Sequence, residues 1–140
     1  MKLLLTSGGL ENQSMTNALR GLMGKDFKDA KVIFIPTAAN VEEGDKWWLI
    51  GDLAKCKELG FKEVDIVDVA AVPKEVWQPR LENADVIMVG GGNTSYLMGQ
   101  IKKSGLAALL PSLLKTRVYV GISAGSMVVA PNLKEKEMQR

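Results

Sequence analysis

Ser123 stands at the centre of Gly121-Ile122-Ser123-Ala124-Gly125, directly after the apolar run Arg117-Val118-Tyr119-Val120. A serine hydroxyl in such a place can attack an acyl carbon if it is held clear of the backbone and a base takes its proton. The run reads as a buried strand, and Ala124 to Ala130 as the start of a helix. A strand that turns so sharply into a helix needs small neighbours, so Gly121 and Gly125 support the turn and the hydroxyl stands above the sheet. A second small-residue turn, Gly90-Gly91-Gly92-Asn93-Thr94, follows the apolar segment Ala84 to Val89. Its three glycines let backbone N–H groups approach a ligand with no Cβ in the way. Asn93 and Thr94 are suited to cap a following helix.

Two ligands fit such turns. A phosphate can rest on the N–H groups at a helix start. Alternatively, a reacting carbonyl oxygen can sit there, with the N–H groups of Gly92 and Ala124 as an oxyanion hole. The phosphate reading is the weaker, because the triplet lacks both Gly-Lys-Ser/Thr and the G-x-G-x-x-G spacing. A tight turn with no ligand is the plain alternative. No histidine occurs anywhere in the 140 residues, so the usual base for a serine is missing and the general base is unidentified. A desolvated lysine would serve, but nothing in the sequence places one beside Ser123. With no histidine and one cysteine, no metal site is expected, and no cofactor is called for.

These turns need a scaffold, and strand-like and helix-like segments alternate along the chain. Lys2 to Thr6 reads as a strand closed by Ser7-Gly8-Gly9, and Ser14 to Met23 carries apolar residues at helical spacing. Lys31 to Ile35 is a continuous apolar strand ended by Pro36. Residues 45–59 form a helix with Trp48, Leu49, Asp52, Leu53, Cys56 and Leu59 along one side, capped by Gly60. Further strands are read at Glu63 to Val67, Ala84 to Val89 and Arg117 to Val120, with helices at Ser95 to Lys103 and Leu106 to Lys115. Pro73 and Pro79 punctuate a connection with room for one helical turn.

The alternation predicts an α/β fold: a doubly wound, mainly parallel sheet with helices on both faces. Ligands of such sheets gather beyond the carboxyl ends of the strands, where three of the small-residue turns would meet if their strands are neighbours. One domain is expected over residues 1–132, followed by a charged tail at 133–140. Of the adjacent Trp47 and Trp48, one should pack and the other be partly exposed, since neighbouring helical positions point about 100° apart. A role as stacking residues near the rim is the alternative, but core or interface packing is favoured.

Composition narrows the class further. With 46% hydrophobic and 24% charged residues, the chain suits a soluble globular domain. Its 18 basic and 16 acidic residues form no basic stripe with interleaved aromatics, so nucleic acid is not an expected partner. Met1-Lys2-Leu3-Leu4-Leu5 is too short for a signal peptide, and no apolar stretch approaches the ~20 residues of a membrane span. A cytoplasmic protein without membrane contact is expected. Cys56 cannot form an internal disulfide and reads as a structural thiol.

Val89-Gly90-Gly91-Gly92-Asn93-Thr94, Gly105-Leu106 and Tyr119-Val120-Gly121-Ile122-Ser123-Ala124-Gly125 resemble the pattern of peptidase family S51. Leu3-Leu4-Leu5-Thr6-Ser7 and Phe34-Ile35-Pro36-Thr37-Ala38 are similar as well. The family includes aspartyl dipeptidase (dipeptidase E) and, more distantly, cyanophycinase, and the resemblance runs from the start of the chain to about Pro131. It implies a fold like the class I glutamine amidotransferases and a serine peptidase acting on short peptides, in dipeptidase E those with an N-terminal aspartate. It also implies Ser123 as nucleophile and the N–H groups of Gly92 and Ala124 as oxyanion hole. An ordinary α/β-hydrolase is disfavoured, because the triple glycine matches the S51 pattern better than a lipase loop.

The histidine and acidic residue of that family lie downstream of the serine, where this chain has only a short Lys-Glu-rich stretch. Glu135 and Glu137 read as a solvated tail rather than triad members. The expectation is a chain truncated after the serine turn, lacking the C-terminal part of its fold. Loss of a triad member lowers kcat by roughly 10⁴ to 10⁶, so little or no peptidase activity is expected. Sheet edge or apolar surface left bare would favour self-association. The alternative is a non-catalytic α/β module that binds a small peptide or an anion.

Overall fold

Runs of Val, Ile, Phe and Met without polar interruption suit strands that are covered on both faces. The computed structural model of the chain, which describes residues 1–129, builds five such strands. They are β1 (Lys2–Thr6), β2 (Lys31–Ile35), β3 (Glu63–Ile66), β4 (Val86–Val89) and β5 (Val118–Ile122). All pairings are parallel, in the order β1-β5-β4-β2-β3. Every residue of β4 and β5 is buried, as central strands require.

The strand period of two divides the core. Val32, Phe34, Val86, Met88, Val118 and Val120 point to one face, against Leu19 of helix α1 (Gln13–Met23), Phe27 of a short 3₁₀ turn and Cys56 of helix α3 (Trp47–Leu59). Ile33, Ile35, Ile87, Val89 and Tyr119 point to the other, against Trp77, Leu97 and Leu106. Those three belong to α4 (Lys74–Glu82), α5 (Thr94–Ser104) and α6 (Leu106–Leu113). The sheet is open and doubly wound, as the alternation of segments predicts. Gly60 ends α3 with its N–H on the Lys57 carbonyl, also as predicted. Cys56 is a free buried thiol pushed up to about 12, chiefly by burial and secondarily by the charge of Asp52, which suits a structural group.

Three elements differ from the sequence reading. The Pro73–Pro79 connection is a nine-residue helix, α4, with Pro79 inside it, rather than one turn. Its residues Trp77 and Leu81, one turn apart, are both fully buried. Burying them is worth about 2–3 kcal/mol each, which outweighs the ~3 kcal/mol that an interior proline costs. The four-residue helix α2 (Thr37–Asn40), directly after Pro36, has no periodicity to announce it. Strand β5 continues through Gly121 and Ile122, because Gly121 pairs with Leu5 on one side and Val89 on the other. The predicted domain limit at 132 and the tail at 133–140, with Glu135 and Glu137, lie outside the described residues.

Candidate active site

Strands β1, β5 and β4 are neighbours, so the turns that follow them meet at one rim of the sheet. Ser123 follows β5 immediately with φ 54, the only described non-glycine residue in the left-handed region. A side chain there is strained by roughly 1–2 kcal/mol. The turn is held at both ends. The Ser123 N–H donates to the Thr6 carbonyl at 2.9 Å, and the Ser123 carbonyl accepts from the N–H groups of Ser126 and Met127 at 2.9 and 3.1 Å. Residues 124–129 are helical, so the Ala124 N–H is one of the donors that every helix start leaves without an intrahelical partner.

Three further bonds fix this helix on the sheet. The Ser126 hydroxyl accepts from the Thr6 N–H at 3.0 Å and donates to the Thr6 carbonyl at 2.8 Å. The Tyr119 hydroxyl, fully buried, donates to the Gly125 carbonyl at 2.6 Å. Thr6 in turn donates its hydroxyl to the Gly121 carbonyl and accepts from the Gly9 N–H, both at 2.9 Å. Tyr119→Phe removes the donor while keeping the ring. It is expected to cost about 1–2 kcal/mol, seen as a lower urea midpoint at unchanged slope. An unchanged midpoint would show that this bond does not hold the helix.

The glycines are dictated by close approach. A Cβ on Gly125 would land on the Val89 carbonyl, and one on Gly121 would come 2.8 Å from the Ser126 backbone. Gly90 lies against the Phe34 ring, with its N–H on the Ile35 carbonyl. Gly91 faces Ser123, whose Cβ and Oγ would lie 3.3 and 3.9 Å from an added Cβ. Gly92 has φ +138, and a Cβ there would meet the Ala38 carbonyl group. Asn93 anchors the turn through its N–H on the Ala38 carbonyl and caps α5 by accepting from the Tyr96 N–H at 2.8 Å. Thr94 is already the first residue of the helix rather than a cap.

A cavity of about 290 Å³ opens here, its walls including Gly8, Trp48, Asp52, Gly91, Gly92 and Ser123. The structure therefore brings Ser123, Gly91 and Gly92 to one space. No lysine lines the cavity among the described residues. Of two further wall residues, Trp48 was read as a stacking residue only in the less favoured alternative, and Asp52 was not read as functional from the sequence. Trp47 is exposed as expected of one member of the pair, but Trp48 lines the cavity instead of simply packing. Asp52, one turn further along α3, has its carboxyl pushed up to about 6 by burial. Their spacing of four on α3 was visible, but only the strand order shows that this side of the helix reaches the rim of β1 and β5.

An open parallel sheet whose strand β5 turns at a strained, glycine-flanked serine into a helix has the geometry of a nucleophile elbow. The chain belongs to peptidase family S51, whose family model matches residues 3–140. It is 36% identical over 103 residues to an uncharacterized peptidase of Listeria innocua, covering 73% of this chain and 48% of that one. It is 28% identical over 134 residues to Peptidase E of Escherichia coli, covering 94% of this chain and 56% of that protein. A crystal structure of a protein provisionally named as a Peptidase E, from Listeria monocytogenes, superposes with a TM-score of 0.76 at 28% identity. That match takes in 89% of this chain and 60% of the other. The chain thus spans about half the length of the curated relatives it matches.

Proposed function

We propose that this chain carries the nucleophile and the oxyanion-binding half of an S51-type serine peptidase site for short peptides. The observation that carries the proposal is Ser123, held at φ 54 on the rim that Gly91 and Gly92 share. In this reading the Ser123 hydroxyl attacks the scissile carbonyl. The N–H groups of Gly92 and Ala124 stabilise the oxyanion, and Gly90, Gly91, Asn93, Gly121 and Gly125 keep the two turns at their spacing. Among the described residues the N–H groups of Gly91 and Gly92 make no backbone bond, while those of Gly90 and Asn93 that bracket them do, which leaves donors free for a ligand in this turn. Asp-Xaa dipeptides are the first substrates to try, and the cytoplasm is the proposed location.

The 140 residues hold no histidine, so the chain alone offers Ser123 no imidazole. Hydrolysis of Asp-Xaa dipeptides is expected to stay within the ~10³–10⁴ over water that a site without its full triad retains. Because a serine without its base contributes almost nothing, Ser123→Ala should leave even that rate unchanged. Turnover at the rate of a complete triad, lost in Ser123→Ala, would overturn the inactivity and show that a base reaches the site. The binding-module alternative predicts peptide affinity with no covalent chemistry at Ser123.

Self-association is a second part of the proposal. Strand β1 pairs only with β5 among the described residues, and its Leu5 is 43% exposed. An uncovered parallel edge offers unpaired N–H and C=O groups to another strand. Light scattering should show a mass that rises with concentration. A constant monomer mass at high concentration would contradict it.

A further inference from the structure

We propose that Asp52 and Trp48 form an ammonium subsite beside Ser123, which holds the cationic group of a short peptide substrate. The inference rests on the peptidase reading above and names what the site would select.

Asp52 is the one ionisable side chain among the described residues lining the Ser123 cavity. Its position is fixed from two sides. It projects from α3 one turn after Trp48, and its carboxyl oxygen lies 3.3 Å from where a Cβ of Gly9 would be, in the turn that follows β1. Among the described residues nothing pairs with it: the three salt bridges join Lys25 to Asp85, Lys55 to Glu58 and Arg80 to Asp65. No side-chain hydrogen bond to it is formed either, although it is half-buried. A carboxylate in that state gains most from a partner that brings a positive charge and N–H donors, which is what a peptide ammonium offers. The indole of Trp48 in the same wall adds a surface that attracts cations.

The same wall argues against anionic ligands. No Lys or Arg lines the cavity among the described residues, so neither a phosphate nor an acidic side chain would find a charge partner there. An Asp-Xaa dipeptide would have to place its α-ammonium, not its side-chain carboxylate, towards Asp52. The charged or titratable neighbours of Asp52 are Lys55 and Cys56 on its own helix and Glu11, which with Lys55 lines an adjoining cavity of about 190 Å³. Lys55 is engaged by Glu58 at 3.9 Å. Burial holds the Asp52 carboxyl at about 6, so the subsite should be charged at neutral pH and discharged in mild acid.

The test is calorimetric binding to the 140-residue chain of Ala-Ala, N-acetyl-Ala-Ala and N-acetyl-Lys-Ala, with wild type, Asp52→Asn and Asp52→Glu. At neutral pH an ammonium-bearing peptide should bind about tenfold or more tightly than N-acetyl-Ala-Ala, the gain of one charge-assisted contact. Asp52→Asn should erase the preference and Asp52→Glu restore part of it. In wild type the preference should fade below about pH 6, while in Asp52→Asn it should be absent throughout. Preference for Ala-Ala assigns the subsite to the α-ammonium, and preference for N-acetyl-Lys-Ala to a basic side chain. Equal binding of all three peptides, unaltered in Asp52→Asn, overturns the subsite and leaves the peptide-site reading standing. Binding of none of them overturns both.

Discussion

Gly125→Ala is expected to lower folding stability by about 2–4 kcal/mol, in the upper part of the range for single substitutions. The added methyl group would fall on the Val89 carbonyl, with the Val89 Cβ 3.1 Å away. Neither partner can yield cheaply. Val89 ends a fully buried central strand, paired with β2 and β5. The helix that carries Gly125 is held down by the Tyr119 and Ser126 hydroxyls. Relief would require lifting the helix start away from the sheet, which would also move Ser123 and the Ala124 N–H. Gly99→Ala is the control. Gly99 is an exposed interior residue of α5 with nothing within 4 Å of an added Cβ, so this substitution should stabilise by roughly 0.5–1 kcal/mol. Urea unfolding of both variants checks the pair. Equal small effects would mean that the elbow helix does not sit against β4.

Trp77→Ala should be the costliest truncation in the core, at about 3–5 kcal/mol. The side chain is fully buried beneath α4, in the cluster that also holds Val67, Val69, Leu81 and Ile87. Its removal leaves a large cavity and also takes away half of the burial that keeps a helix around Pro79. For a chain of this size the melting temperature should fall by about 10 °C or more. A loss below about 1 kcal/mol would show that α4 is not docked on the sheet. Trp77→Phe, which keeps most of the volume, should recover much of the loss.

The sheet was legible because its strands are uninterrupted apolar runs separated by helical periodicity. The strands were placed to within two residues at each end, and α1, α3 and α5 to within two. Helix α4 was missed because proline at Pro79 signals a break locally, while Trp77 and Leu81 act through the sheet they pack on. The turn at Ser123 was legible for a different reason: close packing allows only glycine at Gly121 and Gly125, so the constraint is written in residue type. Thr6, Tyr119 and Ser126 carry no such mark, and their role in holding the turn depends on strands far apart in sequence. Trp48 and Asp52 were visible as one side of a helix. That this side borders Ser123 follows only from the placing of β1 beside β5.

The role proposed for Ser123 is that of a nucleophile at a glycine-lined rim. Its most direct test is covalent labelling with a fluorophosphonate, followed by intact mass and peptide mapping, with and without added imidazole. The cavity of about 290 Å³ beside Ser123 has room for a free imidazole. Slow labelling is expected in plain buffer, at a single site that maps to Ser123. The rate should rise with imidazole concentration, and no adduct should form in Ser123→Ala. Failure to label Ser123 at any imidazole concentration, or equal labelling of Ser123→Ala, would show that Ser123 is not a nucleophile.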